Sequence, residues 1–279
     1  MAEKRMTSPP DQHIHTALCG HARGSMEEMV QAAIDRGMPY IGFTAHLPYP
    51  PSFVEPVPDC VIPSGRFQEY MNEGELLRRK YSDRIEIGIG AEVDFLPEYL
   101  DETRLLLKQH RFDMIIGSIH ILDGVPVDYS EDVLKQGIRQ FGSIREMWRR
   151  YLACMDDMIL AGFCDVVGHL DLPKKFSGEP DWEWIGEAVD RVLGHMKDRD
   201  MALDINTGGI DRSVTRTAYP SRRILELAAE AGIAVILGSD AHEPGQVGRY
   251  FDRMTPLLKS LGWDSIRIYK SRGKRTHAL

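Results

Sequence analysis

The sequence predicts an α/β fold: one domain in which a parallel sheet of seven strands, covered by helices, closes into a barrel. Three observations point there. Short apolar runs alternate with amphipathic stretches along the whole chain, and the runs are continuously apolar rather than alternating in and out. A strand that reads this way is buried on both faces, as in a parallel sheet packed under helices. Almost every run also ends on a residue able to bind a metal: His46, Glu92, His120, His169 and Asp240. In parallel α/β folds reactive side chains collect at the C-terminal ends of the strands, and only a barrel turns all those ends toward one mouth.

The runs lie around residues 12–16, 40–46, 85–95, 112–120, 165–171, 202–207 and 234–241, with 265–270 (SIRIYK) as a late addition. Helical patterns fill the intervals, among them 25–36, 143–160, 181–197 and 221–231, the last closing on Gly232, a common helix stop. The segment 47–64 carries six of the sixteen prolines and reads as an irregular loop or lid. Residues 1–11 and 272–279 read as tails. No linker or low-complexity stretch divides the chain.

Composition bounds the function. The 279 residues are 43% hydrophobic and 27% charged, ordinary values for a folded globular protein. A formal net charge of −8 argues against a nonspecific grip on nucleic acid, so no nucleic-acid partner is expected. The four cysteines are scattered without a CxxC, which indicates neither a zinc knuckle nor a disulfide framework. No signal peptide and no membrane-spanning run is read, and a reducing cytoplasm is the expected compartment.

His13 and His15 stand two apart on a strand, so both rings point the same way and can reach one ion. Asp240 and His242 repeat that spacing near the other end of the chain, and His21 follows in a loop. With His46, Glu92, His120 and His169 this makes nine candidate ligands, more than one ion can use. They suit two or three divalent ions bridged by a carboxylate, with zinc, manganese and iron all compatible. Such a cluster makes hydroxide available near neutral pH and clamps phosphoryl oxygens, which suits phosphate ester cleavage. His110 and His195 fall in helical stretches and His277 in the tail, so all three are set aside.

The series HIHTALCGHA (13–22), TAH (44–46), GAEVDF (90–95), GSIH (117–120), GHLD (168–171) and GSDAH (238–242) resembles the PHP family, polymerase and histidinol phosphatase. Within it, the chain is similar to the monofunctional histidinol-phosphate phosphatases. The resemblance implies a distorted seven-stranded (β/α)7 barrel with a trinuclear site, hydrolysing L-histidinol phosphate by attack of hydroxide held on metal. It implies that His13, His15, Glu92 and Asp240 hold one ion. Glu92 would bridge to a second on His120 and His169, with His21, His46 and His242 holding a third. Glu92, Asp94 and His242 are the expected catalytic groups.

For the substrate, Lys174, Lys175, Arg212 and Arg216 are the candidate phosphate contacts. In NTGGIDR (206–212) the family has two basic residues where this chain has Asp211 and Arg212, a departure at the first position. Asp94, two residues after Glu92, is the candidate for the substrate amine or for proton transfer. Two other readings compete: a phosphoesterase of the same family for another small ester or nucleotide, and an inactive metal-binding accessory domain. A homo-oligomer is compatible with the sequence.

Overall fold

The computed structural model describes residues 8–279. Eight short parallel strands form two sheets. In the first, β1 (Asp11–Ile14), β2 (Tyr40–Phe43) and β3 (Glu86–Ile89) are neighbours in that order. The second runs β10 (Ala234–Gly238), β9 (Ala202–Asn206), β8 (Val166–Val167), β5 (Ile115–Ser118) and β4 (Ala91–Asp94). Two small hairpins are separate: β6 (Ile121–Leu122) with β7 (Val125–Pro126), and β11 (Ser265–Lys270) with β12 (Gly273–Ala278).

The expected seven strands become eight because the single run 85–95 serves both sheets. Gly90 is the crossing point. Its N–H bonds Phe43 O at 2.7 Å in the first sheet, while the next N–H, of Ala91, bonds Met114 O at 3.1 Å in the second. A Cβ on Gly90 would lie 2.4 Å from Met114 O, so only glycine lets the strands pass. Tyr70 completes the seam by donating its hydroxyl to Phe43 O and Gly90 O. The two sheets touch along both edges through single bridges, Ile14 with Ala241 and His46 with Glu92, rather than through continuous ladders.

Helices α1 (Met26–Asp35), α2 (Phe67–Lys80), α3 (Leu100–Lys108), α4 (Glu131–Phe141), α5 (Ile144–Ala161), α6 (Lys174–Ser177), α7 (Trp182–Asp198), α8 (Gly209–Arg212), α9 (Arg222–Ala231) and α10 (Phe251–Ser260) complete the chain. The starts and stops follow local chemistry. Ser25 and Glu28 form a reciprocal capping box on α1, worth about 1 kcal/mol. α9 ends on Gly232 in the left-handed conformation, as the sequence indicates.

Alternate strand residues divide the interior. Leu203, Ile205, Val235 and Leu237 join the large core, whereas Met114, Ile116, Ala202 and Ile236 form a second, smaller cluster with Tyr269. Tyr269 belongs to β11, and its hairpin partner β12 replaces the expected C-terminal tail. The hairpin is fastened by Gln12 Nε2 to Arg267 O, Tyr40 Oη to Tyr269 O and Ser271 N to Asp113 Oδ1. The expected N-terminal tail is also shorter, because Asp11 already opens β1; residues 1–7 lie outside the described residues. Residues 47–63 form the irregular proline-rich loop expected. No helix among the described residues is long and apolar enough to cross a membrane.

Candidate metal centre

All nine sequence-predicted ligands converge at the strand ends, around Glu92. This carboxylate is 1% exposed and turns one oxygen to each of two groups of imidazoles. Its Oε2 lies 3.2 Å from His13 Nε2, 3.4 Å from His15 Nε2 and 3.4 Å from His46 Nδ1. Its Oε1 lies 2.9 Å from His169 Nε2 and 3.6 Å from His120 Nε2, and accepts the Ser118 hydroxyl at 2.6 Å. His15 Nε2 is also 3.2 Å from Asp240 Oδ1, and His242 stacks on the His15 ring at 4.3 Å. His21 donates Nδ1 to Cys19 O at 2.9 Å, and its ring centroid is 4.8 Å from that of His242.

Asp240 is the most constrained of the nine. It is a non-glycine residue at φ 53, its carboxylate is paired with Arg212, and Asn206 Nδ2 donates to it at 3.2 Å. Gly238, two residues before, has no room for a Cβ, which would lie 2.5 Å from Asp204 Oδ1 and from His13 Cβ.

The electrostatics separate the imidazoles into two kinds. Burial, with His242 and His46 alongside, holds His15 well below its ordinary value; burial brings His46 down to about 4 and His242 to about 3. These rings are neutral and keep a lone pair. Burial opposes charge on His13 and His120 as well, but carboxylates outweigh it. Glu92 and Asp204 hold His13 well above its ordinary value, and Asp94 with Glu92 raises His120 to about 10. Burial would raise Glu92, yet the surrounding imidazoles hold it well below the usual carboxylate range.

The donor set fits divalent ions. Protons on His13 and His120 stand where the buried carboxylates require positive charge, and metal binding releases such protons. His15 Nδ1 and His169 Nδ1 are buried without a hydrogen-bond partner. Ligand atoms lie within 4.8 Å of one another in His13, His15 and Asp240, in Glu92, His120 and His169, and in His15, His21 and His242.

The predicted substrate residues divide. Lys175, Arg212 and Asp94 line the cavity over the nine ligands. Lys174 does not: it is fully buried, its ammonium 2.9 Å from Asp171 Oδ2 and donating to Ala218 O, so it holds the fold rather than a phosphate. Arg216 is also outside this cavity and donates to Asp211 O at 2.8 Å. Asp94 accepts both the backbone N–H and the ring of His120 on Oδ1, and the Tyr49 hydroxyl on Oδ2. His195 pairs with Asp156, and His110 packs near Phe67 just past α3, so neither joins the centre.

Sequence reasoning missed Asp204, whose Oδ2 is 2.8 Å from His13 Nδ1, and Asn206, which bridges Asp204 and Asp240. The signal was present in ALDIN (202–206), where polar residues stand at alternate positions inside an apolar strand. It also missed Asp128, 3.0 Å from Lys175 Nζ at the cavity wall.

The sequence matches the PHP domain over residues 11–208, and the PHP-associated region over 219–254. The chain belongs to the PHP family. Among its PHP relatives is the histidinol-phosphatase of Bacillus subtilis, 31% identical over 258 residues, spanning 87% of this chain and 96% of that one. A probable histidinol-phosphatase of Deinococcus radiodurans is 36% identical, spanning 92% and 95%. A solved structure from Listeria monocytogenes superimposes with a TM-score of 0.83 at 28% identity, covering 88% of this chain and 99% of that one. The Lactococcus lactis histidinol phosphate phosphatase, solved with zinc, L-histidinol and phosphate, shares the fold with a TM-score of 0.77 at 21% identity over 95% and 98%.

Proposed function

We propose that this PHP protein hydrolyses L-histidinol phosphate to L-histidinol and phosphate with two to three divalent ions. The observation that carries the chemistry is Glu92, buried and turned by its two oxygens toward two separate imidazole groups, as a carboxylate bridging two ions requires. The substrate assignment rests on the histidinol-phosphatase relatives, each aligned over most of its length.

In this reading His13, His15, Asp240 and Glu92 hold one ion, and Glu92, His120 and His169 a second. His21, His46 and His242 complete a third site. They gather less tightly, since His21 and His242 close with His15 while His46 leans to Glu92. Bound ions would lower the pKa of water and take up charge on the phosphoryl oxygens. Lys175 and Arg212 then orient the phosphate from the cavity wall, with charge-assisted hydrogen bonds. Asp94 fixes the His120 ring, and Tyr49 ties the proline-rich loop to that same carboxylate. The two sheets, touching at both edges, support reading the architecture as a distorted barrel. The pairing of β10 with β9 and the bridge of Ala241 to Ile14 support a single domain.

The test is a metal-replete phosphatase assay on histidinol phosphate, an uncharged aryl phosphate and a nucleoside monophosphate. Preference for histidinol phosphate in kcat/KM is expected. Equal turnover of all three would remove the substrate assignment and leave a general phosphoesterase; no turnover would remove the enzyme reading.

A further inference from the structure

Asp211 precedes Arg212 in NTGGIDR, but its carboxylate does not line the cavity over the metal centre. Its Oδ2 is 3.1 Å from Arg249 Nη1, and its Oδ1 accepts the Tyr250 hydroxyl at 2.5 Å. Arg249 is the more informative partner. Its side chain is 10% exposed, and its guanidinium spans two consecutive carbonyls, with Nε on Ser239 O at 3.0 Å and Nη2 on Asp240 O at 3.2 Å. The Arg249 backbone is anchored in turn, its carbonyl accepting the Thr207 hydroxyl at 2.9 Å. One planar cation therefore grips the peptide units on both sides of the Asp240 Cα.

That residue is the one whose backbone most needs holding. Asp240 sits at φ 53, a region that residues other than glycine rarely adopt. The conformation brings its Oδ1 to 3.2 Å from His15 Nε2. In an extended conformation the same side chain would leave that position.

We propose that Arg249, braced by Asp211 and Tyr250, is a positioning residue that locks Asp240 in its left-handed conformation and so completes the His13, His15 and Asp240 ligand group. Lysine cannot replace it, because a point donor cannot serve Ser239 O, Asp240 O and Asp211 together. Asp211 thus serves the metal centre from behind rather than the phosphate from in front. The inference rests on the metal-centre reading above.

The experiment loads wild type, Arg249→Ala, Arg249→Lys and Asp211→Asn with zinc, dialyses each against a weak chelator, and measures retained zinc by elemental analysis alongside circular dichroism. Cobalt substitution adds a visible spectrum that reports the ligand field directly. Expected are native circular dichroism, one fewer zinc retained by both Arg249 variants, and affinity at that site about 10- to 100-fold weaker. Asp211→Asn, on a carboxylate 42% exposed, should show the same change in smaller degree. Arg222→Ala, whose exposed guanidinium pairs with Glu226 among the described residues, should retain zinc like wild type. Arg249 variants that hold as much zinc as wild type, with an unchanged cobalt spectrum, would overturn the clamp whatever their melting temperature. If Arg249→Ala fails to fold, Asp211→Asn with unchanged zinc and spectrum overturns it equally. Wild type that retains no zinc would instead overturn the metal-centre reading itself.

Discussion

His13 Nδ1 lies 2.8 Å from Asp204 Oδ2, and neither side chain is exposed to solvent. When the ring gives up one proton to a metal, the carboxylate would keep the other on Nδ1 and leave Nε2, which faces Glu92, free to bind. Asp204→Asn keeps the volume but removes the charge. Removing such a partner typically costs about 10- to 100-fold in metal affinity or activity. The expected result is a loss of that size in zinc affinity with native circular dichroism. Unchanged affinity would mean that His13 orients without Asp204.

Glu92→Gln removes the charge that faces both imidazole groups at once. Two like-charged ions would then repel across a neutral amide. Wild type reconstituted with zinc, manganese or iron is expected to hold two to three ions, and the variant at least one fewer, with most turnover lost. Elemental analysis decides. A variant with native ion content and turnover shows that Glu92 does not bridge.

Asp94 can act on the substrate amine or through His120, and the geometry favours the second. Both the backbone N–H and the ring of His120 converge on its Oδ1. Asp94→Asn should therefore lower kcat/KM about 10- to 100-fold for histidinol phosphate and for an uncharged aryl phosphate alike. A loss confined to histidinol phosphate would assign Asp94 to the amine instead.

The convergence of the nine candidate ligands was legible in the sequence chiefly because most of them are polar residues closing apolar strands, whose ends face one mouth. Two features were hidden by that same rule. The run 85–95 reads as one strand, since nothing in its apolar pattern shows that Gly90 passes against Met114 O and moves the chain to a second sheet. Residues 272–279 are exposed apart from His277 and Leu279, which are half-buried, so no periodic apolar face marks them as β12; pairing with β11 makes the strand. The adjacent lysines show the same limit on the scale of one residue. They are neighbours in sequence, but one turn of α6 buries Lys174 and leaves Lys175 at the cavity.

That difference predicts opposite phenotypes. Lys174 and Asp171 are 2.9 Å apart, and both are fully buried, so Lys174→Met leaves an unpaired buried carboxylate. Breaking such a pair costs about 3–5 kcal/mol. A large fall in unfolding free energy is expected, with little change in KM for the folded fraction. Lys175→Met, whose partner Asp128 keeps about a fifth of its side chain in water, should cost less stability and raise KM for both esters, by about 10- to 100-fold if it meets the phosphate through a charge-assisted bond of ~1.5–3 kcal/mol. Urea unfolding and steady-state kinetics on both variants separate the two; equal behaviour would cancel the distinction.

The protons held by the metal-free centre give a pH dependence whose sign can be worked out. His120 is raised to about 10, because Asp94 and Glu92 outweigh its burial. A histidine raised in the folded state contributes stability that is fully present below its unfolded value, near 6.5, and lost as pH rises toward 10. His13 shifts the same way. Burial acts in the opposite direction on His46 and His242, lowered to about 4 and about 3. Their contribution is present above 6.5 and is lost as pH falls toward those values, since the unfolded chain takes up protons that the folded one refuses. The two trends cross, so metal-free protein should be most stable near pH 6.5 and lose stability on either side. Ions bound to the neutral imidazoles remove the need for protons on His13 and His120, so zinc-loaded protein should hold its stability well above pH 6.5. The check is urea unfolding from pH 5 to 9 with and without zinc. Metal-free protein that grows steadily more stable between pH 6.5 and 9 would show that His13 and His120 carry no such protons.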